Sequence, residues 1–217
     1  MMLTYPLLDN PLQLKEGSIN VLVVENPVAM RNLISSIVHG RHELVLSKDF
    51  KIIEFAKNTE FIFDVFNLNC NSKTLLSKIA SEAELIAKDN WEESMDLMSE
   101  VNDYGNLIVS QLNFPARFSY IEDAARLIKL LNIEFNDEEL SFAESLLEYM
   151  SICRQLLKKE LFIFFNLKSF LTKEELALLY KSVEYEQLRL ILLESHNDEN
   201  RYESEKVTII DKDLCII

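Results

Sequence analysis

Residues 161–193, LFIFFNLKSFLTKEELALLYKSVEYEQLRLILL, constrain the fold of this chain more than any other segment. The run Leu161–Phe165 is continuously apolar, which is typical of a strand buried on both faces of a parallel sheet. Thr172 and Glu175 have the spacing of a capping box, in which a hydroxyl and a carboxylate satisfy N–H groups at a helix start. Because Leu188–Leu193 is again apolar, the segment predicts a strand, a helix and a strand in an α/β layer with a right-handed connection.

The first third of the chain has the pattern of short strands separated by turns. The segment INVLVV at 19–24 predicts a buried strand, and Pro27 after it predicts a helix at about 28–38. We expect the other strands at 3–8, 12–14, 43–46, 51–54, 61–66, 206–210 and 214–217.

The middle of the chain, from Ser72 to Leu157, predicts helices only. We expect four of them, of which the second carries an apolar stripe from Trp91 to Leu112. The third and fourth should begin at capping pairs, Ser119 with Glu122 and Asn136 with Glu139. We therefore predict a helical leg domain of residues 72–157, inserted into an α/β head domain of residues 1–71 and 158–217.

The cysteines and the hydropathy of the chain indicate its compartment. The 3 Cys are widely separated and lack metal-ligand spacing, which predicts reduced thiols in a cytoplasmic protein. No basic-then-apolar leader opens the sequence and no apolar run of membrane-spanning length occurs. We therefore expect neither export nor a membrane span.

The charge of the chain is unevenly distributed. The net charge of −14 disfavours nucleic acid on average, because phosphate neutralisation supplies most of such affinity. However, residues 26–59 and 153–173 are two basic islands in this acidic chain. They either converge on one face or are scattered, solvated lysines, and both interpretations are compatible with the sequence.

The motifs of several enzyme classes are missing from the sequence. The loops after the buried strands, ENPVAMRN and NLKSFLTK, lack the glycines of a phosphate cradle, and GxxxxGK[ST], GxSxG, HExxH and paired CxxC do not occur. His39, His42 and His196 have no pattern that nominates a general base. We therefore expect a protein without enzymatic activity.

Two stretches resemble a bacterial receiver domain. They are INVLVVENPVAMRN and FIFDVFNLN, with Asp64 as the candidate phosphoacceptor. Asn26 stands where that family usually has a second acid, and Lys168 is much farther from Asp64 than the family's lysine. A receiver-like phospho-switch is one alternative function. A structural oligomer whose helical arm recruits protein partners without binding DNA is another.

A second resemblance spans nearly the whole chain. The blocks YPLLDNPLQLKEGSINVLVVEN, TEFIFDVFNLNCNSKTLLSKI, RLIKLLNIEF and LLKKELFIFFNLKSFLTKEELALLYKSVEYEQLRLILLES occur in the order of the Csn-two family. This family comprises the accessory spacer-acquisition proteins of type II-A CRISPR systems. Asn26 and the segment Asn67-Leu68-Asn69 depart from its pattern, so the chain resembles a divergent member.

The resemblance implies a head and a leg domain, with four copies closing into a ring. Such rings bind ends of double-stranded DNA without sequence preference, have no nuclease or nucleotide-hydrolase activity, and act with the CRISPR adaptation integrase and the effector nuclease. The candidate phosphate contacts come from the two basic islands and are Arg31, Lys48, Lys51, Lys158, Lys159 and Lys168.

The resemblance also implies a structural calcium ion, held by an acidic run before the LIK helix. Here that region is NFPARFSYIED, with Arg117 and Phe118 near the expected carboxylates. Only Glu122 and Asp123 are left as candidate ligands, so the ligand run is degraded.

Overall fold

The computed structural model of the protein describes residues 1–40, 43–136, 140–198 and 201–217. The chain divides into two compact units. We call the one formed by Met1–Leu68 and Glu138–Ile217 the sheet unit, and the one formed by Asn69–Asp137 the helical unit.

The described residues form nine strands and seven α-helices, and a 3₁₀ turn at Leu167–Ser169. The strands are β1 (Met2–Thr4), β2 (Leu12–Gln13), β3 (Ile19–Val24), β4 (Val45–Lys48), β5 (Lys51–Ile53), β6 (Thr59–Ile62), β7 (Leu161–Phe165), β8 (Arg189–Glu194) and β9 (Glu205–Ile210). The helices are α1 (Pro27–His39), α2 (Phe55–Asn58), α3 (Lys73–Asp89), α4 (Trp91–Ser110), α5 (Ala124–Leu131), α6 (Phe142–Leu157) and α7 (Lys173–Tyr185).

The sheet unit contains a parallel five-stranded sheet with the order β6-β7-β8-β3-β9. Side chains of α1 pack on one face of this sheet, and side chains of α6 and α7 pack on the other. Successive residues of β3 alternate between these two cores, as the pleat of a strand requires. Strands buried on both faces explain the continuous apolar runs in the sequence.

The strand, helix and strand predicted for residues 161–193 are confirmed. β7 and β8 are parallel neighbours joined through α7. At the start of α7, the amide of Glu175 donates to Thr172 Oγ1 at 3.2 Å and the amide of Thr172 donates to Glu175 Oε2 at 2.8 Å. The α/β class is therefore confirmed, and a second, antiparallel sheet with the order β2-β1-β4-β5 accompanies the parallel one.

Several predicted boundaries are wrong. The third predicted helix begins at Ala124, because Asp123 caps it by accepting from Arg126 N, and not at Ser119. The fourth is α6, whose capping box is Ser141 with Glu144; Glu139 lies outside the described residues. The strand predicted at 61–66 lies instead at Thr59–Ile62. The segment expected as a strand at 214–217 forms only a single bridge, between Ile216 and Ile210.

Helix α6 lies in the sheet unit, whereas the sequence places it in the helical domain. The buried side chains of Leu146, Met150 and Cys153 lie in the same core cluster as the buried residues of β7 and α7. Their apolar stripe packs against the sheet, so α6 belongs to the sheet unit and the helical unit is shorter than 72–157.

The helical unit contains a close approach at Gly105, in the middle of α4. A Cβ added to Gly105 would lie 2.5 Å from Phe118 Cε2 and 2.6 Å from its Cζ. The backbone of α4 can therefore contact the ring only because residue 105 has no side chain. None of the described helices is both long and apolar enough to cross a membrane.

We expect Gly105→Ala to destabilise the helical unit by about 1–2 kcal/mol, although alanine has the higher helix propensity, because the ring of Phe118 must move. Trp91 is the single tryptophan and lies in this unit, so its fluorescence during urea unfolding measures the change. Ser99→Ala, at an exposed site of the same helix, is the control and should be neutral or slightly stabilising. A more stable Gly105→Ala protein would contradict the prediction.

Candidate nucleic-acid interface

Two edges of the parallel sheet carry different chemistry. Residues that precede the strands lie at the edge where the strands begin, which we call the amino edge, and it includes Lys158–Glu160 before β7 and Arg189 at the start of β8. Residues that follow the strands lie at the opposite carboxyl edge, and these include Lys168 after β7 and Ser195 after β8.

Glu160 binds two cations from distant parts of the sequence at the amino edge. Lys48 Nζ donates to its Oε2 at 2.6 Å and to its Oε1 at 2.9 Å. Arg189 Nη1 donates to Oε2 at 3.3 Å. The ion pair with Lys48 joins the antiparallel sheet to the start of β7, and it brings the first basic island to the second.

Lys159 is held by backbone acceptors. Its Nζ donates to the carbonyls of Ala56 at 2.7 Å and Thr59 at 2.8 Å, and lies 3.3 Å from Glu60 Oε2. Its side chain is 14% exposed. Lys159 thus fixes the turn before β6, and its charge contributes to the potential of the edge from a partly buried position.

Lys158, at this edge, and Lys51, beside the Lys48 that binds Glu160, are both exposed cations. Lys51 lies opposite Lys48 in the β4–β5 register, and Lys158 ends α6 in a left-handed conformation with φ 57°. Its Nζ donates to the Gln155 carbonyl at 2.8 Å, an exposed bond that a phosphate oxygen can replace.

Arg154 and Arg189 belong to the same edge, although the sequence did not nominate them as phosphate contacts. Arg154 donates to the Glu186 carbonyl, and Arg189, whose side chain is 9% exposed, donates to Glu16 Oε1 at 2.8 Å. The position of Arg189 directly before the apolar run 190–193 could have indicated a buried ion pair, because a charged residue is buried only when it is paired. An open depression of about 250 Å³ is lined by Glu16, Arg154, Lys158, Lys159, Glu160, Gln187, Leu188 and Arg189.

The carboxyl edge is lined by acids. Lys168 Nζ lies 3.1 Å from Glu205 Oε1 and 3.8 Å from Asp198 Oδ2, and the Lys168 side chain is 8% exposed. The Lys168 amide donates to Glu194 Oε1 at 3.1 Å. Arg31 also lies on this side of the sheet, where it lines a groove with residues that follow β3 and β8. Lys168 and Arg31 are thus separated from Lys48, Lys51, Lys158 and Lys159 by the length of the strands.

Burial shapes the protonation of this acidic cluster. Burial raises the pKa of Glu194 to about 7, and the hydrogen bond from the Lys168 amide and the Lys168 charge oppose that shift. Tyr180 donates to Glu205 Oε1 at 2.6 Å, and burial together with this bond raises the pKa of Tyr180. A phosphate group at this edge would face carboxylates, so the edge does not favour nucleotide binding.

Asp64 does not have the surroundings of a phosphoacceptor. β6 is the outermost strand on one side of the sheet, and β7 and β8 separate it from β3, which is followed by Glu25. That separation is roughly 14 Å at the usual strand spacing, too far for Asp64 and Glu25 to share a magnesium ion. The carboxylate of Asp64 instead accepts from Phe66 N at 3.1 Å in a turn.

The remaining candidates for metal or general-base roles are not grouped. Asp123 Oδ1 caps α5, and the neighbouring Arg126 donates to the Tyr120 carbonyl, so a cation stands beside the expected ligands. Calcium binding by Glu122 and Asp123 stays a prediction, and among the described residues no group of three or more His, Cys, Asp or Glu side chains is placed to hold a metal ion. His196 contacts Ser195 Oγ, and His42 lies outside the described residues.

The fold and the site together define an α/β protein with a parallel sheet and a cationic amino edge. A family model described as CRISPR-associated protein (Cas_Csn2) matches residues 39–214, so the chain belongs to this family. The chain is also 24% identical to the CRISPR-associated protein Csn2 of Streptococcus agalactiae over 99% of its own length and 96% of that protein.

Solved structures show weaker likeness. A putative ATP-binding protein of an ABC transporter from Pyrococcus furiosus has a TM-score of 0.38 and 10% identity, covering 91% of this chain and 88% of that one. CbiO1 from Clostridium perfringens, part of the ABC transporter complex cbiONQ, has a TM-score of 0.44 and 12% identity, covering 87% and 70%. Scores this low support no inference about the present chain.

Proposed function

We propose that this CRISPR-associated protein is a non-catalytic, homotetrameric ring protein of the cytoplasm that binds ends of double-stranded DNA without sequence preference during spacer acquisition. Its partners would be DNA, the CRISPR adaptation integrase and the effector nuclease. The amino edge of the sheet would contact the phosphates, with Lys51 and Lys158 as direct contacts and Lys48, Lys159, Arg154 and Arg189 as the supporting charge.

The observation that carries this proposal is the convergence at the amino edge. Two basic islands about a hundred residues apart in sequence meet there, because Lys48 and Arg189 both bind Glu160 and Lys159 binds the carbonyls of Ala56 and Thr59. A local surplus of cations attracts phosphates even when the whole chain is acidic. Cations that contact only the phosphates of DNA do not read its bases, so they favour binding that is independent of sequence.

Support for self-association comes from the helical unit. Large apolar side chains of α4 are exposed in the single chain, including Trp91, Leu97, Tyr104 and Leu107. Leu97, Tyr104 and Ile108 share one face of α4 by their spacing of seven and four residues, and exposed apolar groups on one face usually mark a protein–protein contact. The same observation favours a second candidate, a structural oligomer whose helical unit recruits protein partners and which binds no DNA.

Fluorescence anisotropy with linear and covalently closed circular duplexes of one sequence, at two salt concentrations, tests the proposal. We expect binding to linear DNA at low salt that weakens steeply as salt rises, with a log–log slope near −0.9 per phosphate contacted. A tetrameric mass by light scattering without DNA binding would instead support the scaffold function. Equal affinity for linear and circular DNA would count against recognition of ends.

The double variant Lys51→Gln/Lys158→Gln should bind DNA on the order of tenfold more weakly. The log–log slope of its affinity against salt concentration should be about 1.8 less negative than that of wild type. Both side chains are exposed, and neither forms an ion pair with another of the described residues, so the fold should be unaffected. Lys173→Gln/Lys212→Gln removes the same charge from exposed positions at the carboxyl edge and is the control. Equal losses for the two pairs would show that net charge, and not the amino edge, determines affinity.

A further inference from the structure

Phe50 is the most exposed large apolar residue among those that the structure describes, at 97%. It lies at the tip of the hairpin between β4 and β5, where Lys48 pairs with Lys51 across a two-residue turn. Asp49 and Phe50 both have positive φ, 50° and 61°. Turns of this type favour glycine at the second position, and phenylalanine rarely adopts such a conformation. The chain thus holds an aromatic ring in solvent at a position that its own folding disfavours.

The other exposed phenylalanines of the sheet unit have ring partners. The ring of Phe63 stacks on that of Phe165 at 4.9 Å, and the ring of Phe66 contacts those of Phe142 and Phe170. Phe50, by contrast, is almost wholly solvated. Its ring adds nothing to the packing of the chain, and an unexplained backbone outlier is a reason to look for a function.

The charges around the hairpin indicate what covers this ring. Lys48 and Lys51 flank the turn, and the bond from Lys48 to Glu160 fixes the hairpin to the amino edge, which also carries Lys158. An apolar surface of a partner protein need not carry an anion that could pair with these lysines. A base pair brings both a flat π-face and phosphates within reach of one another, which matches a ring between cations.

We propose that Phe50 stacks on the terminal base pair of a DNA duplex whose backbone is held by Lys51 and Lys158. This inference rests on the proposed DNA-binding function and extends it. Inside a duplex both faces of each base pair are already stacked, whereas the last pair has one face free. An aromatic ring therefore gains a stacking contact only at an end, and Phe50 supplies the physical reason why ends are preferred over continuous DNA.

The test compares wild type, Phe50→Ala and Phe50→Trp on a blunt linear duplex and on a relaxed closed circle of the same sequence. Loss of one base–aromatic stack corresponds to about a tenfold weaker affinity. We expect that loss for Phe50→Ala on the linear duplex only, with the circle unchanged and with Phe50→Trp close to wild type. Ile52→Ala, which removes an exposed apolar side chain from the adjacent strand, is the matched control and should leave both affinities unchanged.

The outcomes separate this inference from the proposed function. If wild type binds neither substrate, the proposed function fails and the inference fails with it. If wild type prefers ends and Phe50→Ala is unchanged, or loses affinity equally for both substrates, only the inference is overturned. A lower oligomeric mass of Phe50→Ala by light scattering would also overturn it, because the ring would then be a contact between copies of the chain.

Discussion

Replacing Glu160 with glutamine is expected to destabilise the fold and to strengthen DNA binding in the same protein. Glu160 accepts hydrogen bonds from Lys48 and from Arg189, and Arg189 is largely buried. The glutamine amide keeps the size of the side chain but removes the negative charge between these two cations. Without this charge Lys48 loses its ion-pair partner and Arg189 keeps only Glu16, and we expect a loss of about 2–3 kcal/mol in the free energy of unfolding.

The same change should raise affinity for duplex DNA several-fold. The amino edge gains one net positive charge, and Lys48 becomes available to a phosphate, so the log–log salt slope should steepen by about 0.9. Urea unfolding followed by far-UV circular dichroism measures the stability, and anisotropy at two salt concentrations measures the binding.

Glu174→Gln is the matched control for this prediction. Glu174 is an exposed acid in the first turn of α7, on the carboxyl side of the sheet, and its loss should change both quantities little. A Glu160→Gln protein that is less stable and also binds DNA more weakly would place the phosphate site elsewhere, because only a DNA surface at the amino edge benefits from losing this carboxylate.

Local chemistry made the sheet unit largely predictable from sequence. The apolar run Leu161–Phe165 and the capping pair Thr172 and Glu175 each specify one element with little need of tertiary context, and both were confirmed. The helix boundaries failed where several polar residues compete as caps. Asp123 and Ser141 prevail over Ser119 and Asn136 in capping the helices. Whether α6 belongs to the sheet unit or the helical unit depends on the surface against which its apolar stripe packs, and the periodicity of the sequence does not specify that surface.

The candidate site was predictable only in part. In a parallel sheet, residues before a strand and residues after it lie at opposite edges, so the separation of Lys158 from Lys168 follows from the strand at 161–165 between them. The partners of each lysine were not predictable. That Glu160 binds Lys48, 112 residues away in sequence, depends on how the antiparallel sheet docks on the parallel one. The acids around Lys168 likewise come from β8, β9 and the segment between them.

Glu194→Gln is expected to remove most of a stability loss that the wild-type protein shows between mildly acidic and neutral pH. The pKa of Glu194 rises from 4.5 to about 7 in the folded protein because of burial, with Asp198 and Glu205 adding to the shift and Lys168 opposing it. Between these two pKa values the folded protein keeps a proton that the unfolded chain releases. The unfolded state then binds fewer protons, so the free energy of unfolding falls as pH rises through this window and levels off above it.

The size of this effect is about 3 kcal/mol if Glu194 alone is responsible, from the difference between the two pKa values. Glutamine cannot ionise but keeps an oxygen that accepts from the Lys168 amide, so the variant should be more stable than wild type at pH 8 and close to it at pH 5. Urea unfolding at both pH values should be followed by circular dichroism, because the single tryptophan, Trp91, lies in the helical unit and not in the sheet unit.

The control for the pH effect is Glu203→Gln, which removes an exposed carboxylate of the same sheet unit and should leave the wild-type pH dependence in place. If Glu194→Gln retains the wild-type difference between pH 5 and pH 8, the buried carboxylate is not the titrating group. If it removes the difference, the acid-lined carboxyl edge costs the folded protein stability at neutral pH. An edge whose carboxylates already face one another is unsuited to phosphates, which supports our proposal that DNA binds at the amino edge.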